Sequence, residues 1–218
     1  MRRNKIAFIA IILFGLININ TECNRNQPTP PDYKYQFQGK VSVIPYLLNY
    51  HVGDTIFFLL DVPGKKFYDS KTNSNVFFDS ASFNMGVYVN LVYNNPYVGD
   101  GPFASFIFPL DVSAYTTSYT GTTQAYITRG CSQSADYVVK VGAVLTQKGA
   151  FAIGAFCNSL QNCFNGYATN AQLMLSLDVP DTHKSFYSQL PFQDIGKFQS
   201  PDVLSQLDSK IVAVINVE

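Results

Sequence analysis

Alternation with a period of two runs through most of this chain. Phe83, Met85, Val87, Val89, Leu91 and Tyr93 share one parity, with Asn84, Gly86, Tyr88 and Asn90 between them. Leu173, Leu175, Leu177 and Val179 alternate with Gln172, Met174, Ser176 and Asp178, and the stretches Tyr137–Leu145 and Phe151–Cys157 repeat the pattern. Successive side chains of a strand point to opposite faces, so each run predicts a strand with one face on a core and the other towards water or a partner. Wound as helices, the same residues would have no common apolar side. Ile56–Leu60 (IFFLL) is apolar on both parities, which predicts a central strand covered on both sides. Val41 and Val43 open another strand, which Pro45 should confine to an edge or a bulge because proline donates no ladder hydrogen bond. Ile211–Val217 makes a final strand.

Composition points the same way. The 218 residues include 18 Phe and 14 Tyr but only two Glu, Glu22 and Glu218, against 13 Asp, and 14% of the chain is charged. That mixture lacks the Glu, Lys and Ala from which surface helices are made, and it excludes a helical bundle, a coiled coil and a disordered chain. A formal net charge of zero leaves no basic footprint for nucleic acid. Turn residues separate the runs: His51-Val52-Gly53-Asp54 between early strands, Asn94-Asn95-Pro96 and Gly99-Asp100-Gly101 further on, and Gln147-Lys148-Gly149 tight enough for a hairpin. One short helix is expected near 201–208, with Ser200 as N-cap and Pro201 at the first helical position. The prediction is an all-β fold, an antiparallel β-sandwich of immunoglobulin-like or related type with about eight or nine strands and at most that one helix.

The N-terminus reads as an address. Arg2, Arg3 and Lys5 precede the apolar run Ile6–Ile17, in the order and size of a secretory signal rather than a membrane span. Cys23 follows, and then Asn24-Arg25-Asn26-Gln27-Pro28-Thr29-Pro30-Pro31, a polar, proline-rich leash with nothing to bury. The expected organisation is a signal peptide at 1–22, a tether at 23–32 and one sandwich domain at 33–218, a size that one core can serve. Loss of 1–22 leaves 12 basic and 14 acidic residues, a formal charge of −2.

Cys23 resembles the lipobox cysteine of bacterial lipoproteins, although Asn20 and Glu22 stand where that pattern has an aliphatic and a small residue. A secreted protein with a spare thiol is the alternative. Beyond it, Tyr50-His51-Val52-Gly53-Asp54-Thr55-Ile56-Phe57 and the later Lys148-Gly149-Ala150-Phe151 resemble a group of uncharacterised Bacteroidota lipoproteins. They share an early V-G-D-T-I element that opens a strand and a late K-G hairpin. The resemblance implies a cell-envelope lipoprotein anchored to the outer or inner membrane through Cys23, and it brings no activity and no catalytic residues. In that phylum acidic residues just after the lipidated cysteine favour the cell surface. Residues 24–28 carry none, so the periplasmic side is expected.

Cys131, Cys157 and Cys163 remain. Cys157 and Cys163 flank Asn158–Asn162, read as a short polar loop able to bend back, and this makes them the disulfide candidates in an oxidising compartment, alongside the reading of three reduced thiols. No metal site is expected, because the spacing is not that of a zinc site and His51 and His183 are the only histidines. Both histidines read as solvated loop residues. The sequence holds no nucleophile elbow, paired zinc-binding histidines, phosphate loop or dinucleotide fingerprint, so neither a catalytic residue nor a cofactor is assigned. The aspartates fall mostly at turns, where backbone capping accounts for them. Asp69–Asn75, followed by Asp79, is oxygen-rich and reads as a polar turn rather than a calcium loop.

Aromatic residues offer the functional hint. Tyr115, Tyr119 and Tyr126 punctuate a threonine-rich stretch, and Tyr93, Tyr97 and Phe103 surround the Asn94–Gly101 turn. Flat rings beside amide side chains suit a sugar ring or a protein partner. The expected function is therefore a non-enzymatic envelope lipoprotein with a structural role or one in binding glycan or protein. The alternative is an exported hydrolase acting through loop carboxylates.

Overall fold

The structure is a computed structural model that describes residues 34–78, 81–92, 103–108, 115–120, 123–129, 136–162, 171–189 and 201–218. The chain divides into two units, Met1–Asp32 and Tyr33–Glu218, and every described residue lies in the second.

The alternating runs do become strands, and the strands form two sheets. The first contains β1 (Tyr35–Ile44), β3 (Thr55–Val62), β4 (Lys66–Asp69), β5 (Ser74–Phe77), β7 (Ala104–Ile107), β10 (Tyr137–Leu145) and β12 (Ala171–Asp178). Its pairing path is β5-β4-β1-β3-β10-β7, with β4 and β3 following one another along one edge of β1 and β12 along the other. The second contains β2 (Asn49–Tyr50), β6 (Ala81–Leu91), β8 (Tyr115–Thr120), β9 (Gln124–Arg129), β11 (Gly149–Asn162) and β13 (Val212–Val217), ordered β2-β13-β11-β6-β9-β8. One core joins them. Phe37, Val41, Phe58, Leu60 and Val141 come from the first sheet and Phe83, Met85, Val87, Ile127 and Ile153 from the second, all essentially without exposure. The chain is thus an all-β sandwich, and the inward parity of β6 and β12 is the one their alternation predicts.

Several details depart from expectation. Among the described residues thirteen strands stand where about eight or nine were expected. The sandwich is mixed rather than purely antiparallel: β1 pairs parallel with β12 from Tyr35↔Ala171 to Ser42↔Asp178, and β13 pairs parallel with β2. Proline 45 does not push β1 to an edge. Strand β1 is paired on both sides and simply ends before Pro45. The IFFLL strand β3 is central, between β1 and β10, but its outer face is only half covered: Ile56, Phe58 and Leu60 are buried, whereas Phe57 and Leu59 are not.

The Gln147-Lys148-Gly149 turn is not a hairpin. It carries the chain from β10 in one sheet to β11 in the other, and β11 pairs with β13 and β6 instead. The turn before β3 is a second corner of this kind, from β2 to β3. Gly53 supplies a φ of +97° there, which side-chain-bearing residues rarely adopt. Asp54 accepts from the His51 amide at 2.7 Å. The two corners are bonded to each other, Gly53 N donating to Leu145 O at 2.8 Å and Leu145 N to Asp54 O at 2.9 Å.

Among the described residues there are two α-helices rather than at most one: α1 (Thr182–Gln189) and α2 (Pro201–Asp208), the second where the proline start placed it. Intrinsic propensity does not account for α1, which contains Thr, His, Ser, Phe and Tyr. Its positions 183, 186 and 187 lie on one helical face. Phe186 and Tyr187 pack with Leu207 against Ala152, Val212 and Val214 on the outside of the second sheet, so tertiary burial decides the helix.

Candidate binding surfaces

The turn aspartates do what their positions suggest. Asp69, fully buried, accepts from the Gln36 amide (2.7 Å) and the Thr72 hydroxyl (2.7 Å), with longer bonds from the amides of Lys71 and Thr72. Burial disfavours its charge, but those donors outweigh burial and hold the carboxyl below its usual value. The Asp69–Asn75 segment is thus a capped polar turn. Asp136 likewise accepts from the Gly64 amide at 2.6 Å. Among the described residues no group of three or more His, Cys, Asp or Glu converges as a metal site would require.

His51 lies in the exposed corner as expected, 3.7 Å from Asp54. His183 does not lie in a solvated loop. It sits in α1 with no exposure, Nδ1 2.7 Å from Pro180 O and Nε2 3.4 Å from Leu207 O. The shorter contact is the better bond, and it assigns the proton of a neutral ring to Nδ1. With its proton donated to Pro180 O the ring fixes the start of α1, and Nε2, left as an acceptor, meets the end of α2 by packing rather than by a hydrogen bond to Leu207 O. Lys184–Asp208 (2.8 Å) and Lys210–Asp181 (3.3 Å) reinforce that junction at the surface.

The loop expected between Cys157 and Cys163 is also absent. Residues 158–162 continue β11, paired from Ser159↔Asn84 to Asn162↔Ala81 after an irregularity at Cys157. The bend that motivated pairing the two cysteines is thus replaced by extended strand. Cys163 lies outside the described residues, as do Cys23, Cys131, Tyr93 and Tyr97.

Two outer surfaces have the makings of a binding site. The first is a row of rings on the second sheet. Register sets Phe156 and Tyr126 on either side of Gly86, and Tyr88 opposite Gly154. Each glycine is covered by its neighbour's ring: a Cβ on Gly86 would lie 2.3 Å from Phe156 Cζ, and one on Gly154 2.3 Å from Tyr88 Cζ. Such close approach is possible only without a side chain, and it brings the Phe156 and Tyr88 rings directly onto the glycines. Tyr126 meets Phe156 edge-on at 5.7 Å, and Tyr88 lies 6.2 Å from Phe156. Polar groups border the row: the Tyr126 hydroxyl donates to Gln124 Oε1 at 2.6 Å, and Asn84 Nδ2 to Thr128 Oγ1 at 2.9 Å. Burial pushes the Tyr88 hydroxyl up to about 12. Of the tyrosines singled out from the sequence, the ladder brings Tyr119 opposite Tyr126, while Tyr115 pairs with Arg129. Tyr88 and Phe156 were not singled out, although the glycines at 86 and 154, each mid-strand on the outward parity, were the signal for them.

The second is a cleft of about 300 Å³ on the first sheet. It forms because one edge of β1 is shared by two strands. The ladder to β3 ends at Val41↔Leu60, and the ladder to β4 resumes at Gln38↔Tyr68. Between them the chain turns through Pro63–Lys65, with positive φ at Gly64 and Lys65, so β3 and β4 diverge. The opening is lined by Gln38, Lys40, Asp61, Lys66, Tyr68 and Asn75, among others.

No protein-family model matches this chain, and no curated protein matches it. Among solved structures, it is similar to a non-cellulosomal cohesin from the hyperthermophilic archaeon Archaeoglobus fulgidus, at 11% identity over 72% of this chain and 99% of that one, with a TM-score of 0.30. It is also similar to a type II cohesin domain from the cellulosome of Acetivibrio cellulolyticus, at 8% identity over 63% and 91%, with a TM-score of 0.32.

Proposed function

We propose that this chain is an exported envelope protein, lipid-anchored at Cys23, whose β-sandwich acts as a binding module and takes a glycan on the ring-bearing face of the second sheet. The leash at 24–31 and the apolar run at 6–17 support the anchored, exported reading, with the periplasmic side expected. The observation that carries the binding role is Phe156 over Gly86 and Tyr88 over Gly154, with Tyr126 edge-on against Phe156. Clustered rings beside hydroxyl and amide groups match what a sugar presents, its C–H face and its hydroxyls.

Two experiments test this. Cells fed a palmitate analogue should label the wild type and not Cys23→Ser, and equal labelling of both would end the lipoprotein reading. On a glycan array the wild type should retain a defined set of neutral oligosaccharides that Tyr126→Ala loses. Identical patterns for the two proteins would remove the aromatic face as the site.

A further inference from the structure

We infer that the cleft between β3 and β4 is a second binding site, separate from the aromatic face, and that it takes a carboxylate-bearing sugar such as a uronic acid unit. The charge pattern argues for the anion. Lys40 and Lys66 both line the opening. Lys40 lies on β1 and Lys66 at the start of β4, on either side of the split ladder, and neither makes an ion pair among the described residues. Lys40 and Lys66 outnumber Asp61, the one carboxylate at this opening, so the lining keeps a net positive charge that a singly charged anion neutralises.

The remaining lining argues for a sugar rather than a bare anion. Tyr68 is 39% exposed at the wall and presents a ring. Gln38, Asn75 and Ser176 contribute amides and a hydroxyl that can both donate and accept. Asp61 is also at the opening. A carboxylate there accepts hydrogen bonds from sugar hydroxyls and opposes a doubly charged phosphate, so the combination selects a singly charged, hydroxyl-rich ligand. The volume, at the lower end of the range of about 300–1,000 Å³ for small-ligand sites, suits one sugar unit rather than a chain lying in a groove.

The test is titration calorimetry of the full chain in detergent with an oligomer of galacturonic acid, a neutral glucose oligomer of equal length and inorganic phosphate. In the Tyr126→Ala background, which removes the aromatic face, the uronate oligomer should bind and the other two at least tenfold more weakly. The double variant Lys40→Gln, Lys66→Gln should lose at least tenfold in uronate affinity, whereas Tyr126→Ala should leave it unchanged, which separates this site from the aromatic face. Both lysines are exposed, so an unaltered thermal midpoint confirms that the double variant is folded. No uronate binding, equal binding of the neutral oligomer or of phosphate, or undiminished affinity in the folded lysine variant would each overturn the assignment.

Discussion

The two outer faces of the sandwich have been finished in opposite ways. On the second sheet the outward positions are covered: helices α1 and α2 bury Ala152, Val212 and Val214, and beyond them rings lie on glycines. On the first sheet the outward positions are long and polar or stand exposed, as with Gln38, Lys40, Tyr68 and Met174, and the ladder itself parts into a cleft. The same glycine device occurs on both, with a different lid. Gly154 lies under the Tyr88 ring, whereas Gly142 lies under Cγ1 of β-branched Ile107 and beside the Phe57 ring.

The contrast sets an order of expected effects. Leu207→Ala, which hollows the seat of both helices, should cost about 2–5 kcal/mol in urea unfolding. A cost below about 1 kcal/mol would mean that the helices contribute little to the covering. Gly154→Ala comes next, at about 1–3 kcal/mol, because its Cβ meets a ring. Gly142→Ala should cost about as much, because its Cβ would meet Ile107 Cγ1 and the Phe57 ring, and a neutral substitution would mean that both neighbours yield. Alkali provides a third measure. Burial pushes the Tyr88 and Tyr50 hydroxyls from 10.0 up to about 12. Stability is then complete below pH 10, where both folded and unfolded chains keep the proton, and falls as pH rises towards 12, where only the unfolded chain has lost it. The urea midpoint should drop across that window, and Tyr88→Phe should shallow the drop. A wild-type curve flat across the window would contradict the buried hydroxyls. Smallest are the surface changes: Lys184→Ala should cost less than about 1 kcal/mol, and Met174→Ala no more than about 0.5 kcal/mol.

What the sequence revealed was local. The inward parity of β6 and β12 follows from alternation alone, and the α2 start from Pro201. Sheet membership was not legible, because a tight turn such as Gln147–Gly149 serves a hairpin and a corner equally well. The parallel pairing of β1 with β12 joins residues more than a hundred positions apart and leaves no local trace. Helix α1 and buried His183 were invisible for a related reason: their stabilisation comes from Leu207 and β13, not from their own propensities. Among the aromatic candidates, Tyr126 has a place in the ring row and Tyr119 a place in register beside it. The cleft escaped notice altogether, since its lining residues become neighbours only when β3 and β4 share one edge of β1.

The joined corners also orient the domain. Strand β1 runs from Tyr35 to Ile44, about 30 Å at ~3.3 Å per residue, before the chain reaches Pro45 and then the Gly53 corner. Entry and corner therefore occupy opposite poles. A short epitope inserted at exposed Val52 would therefore stand at the end of the sandwich away from Tyr35.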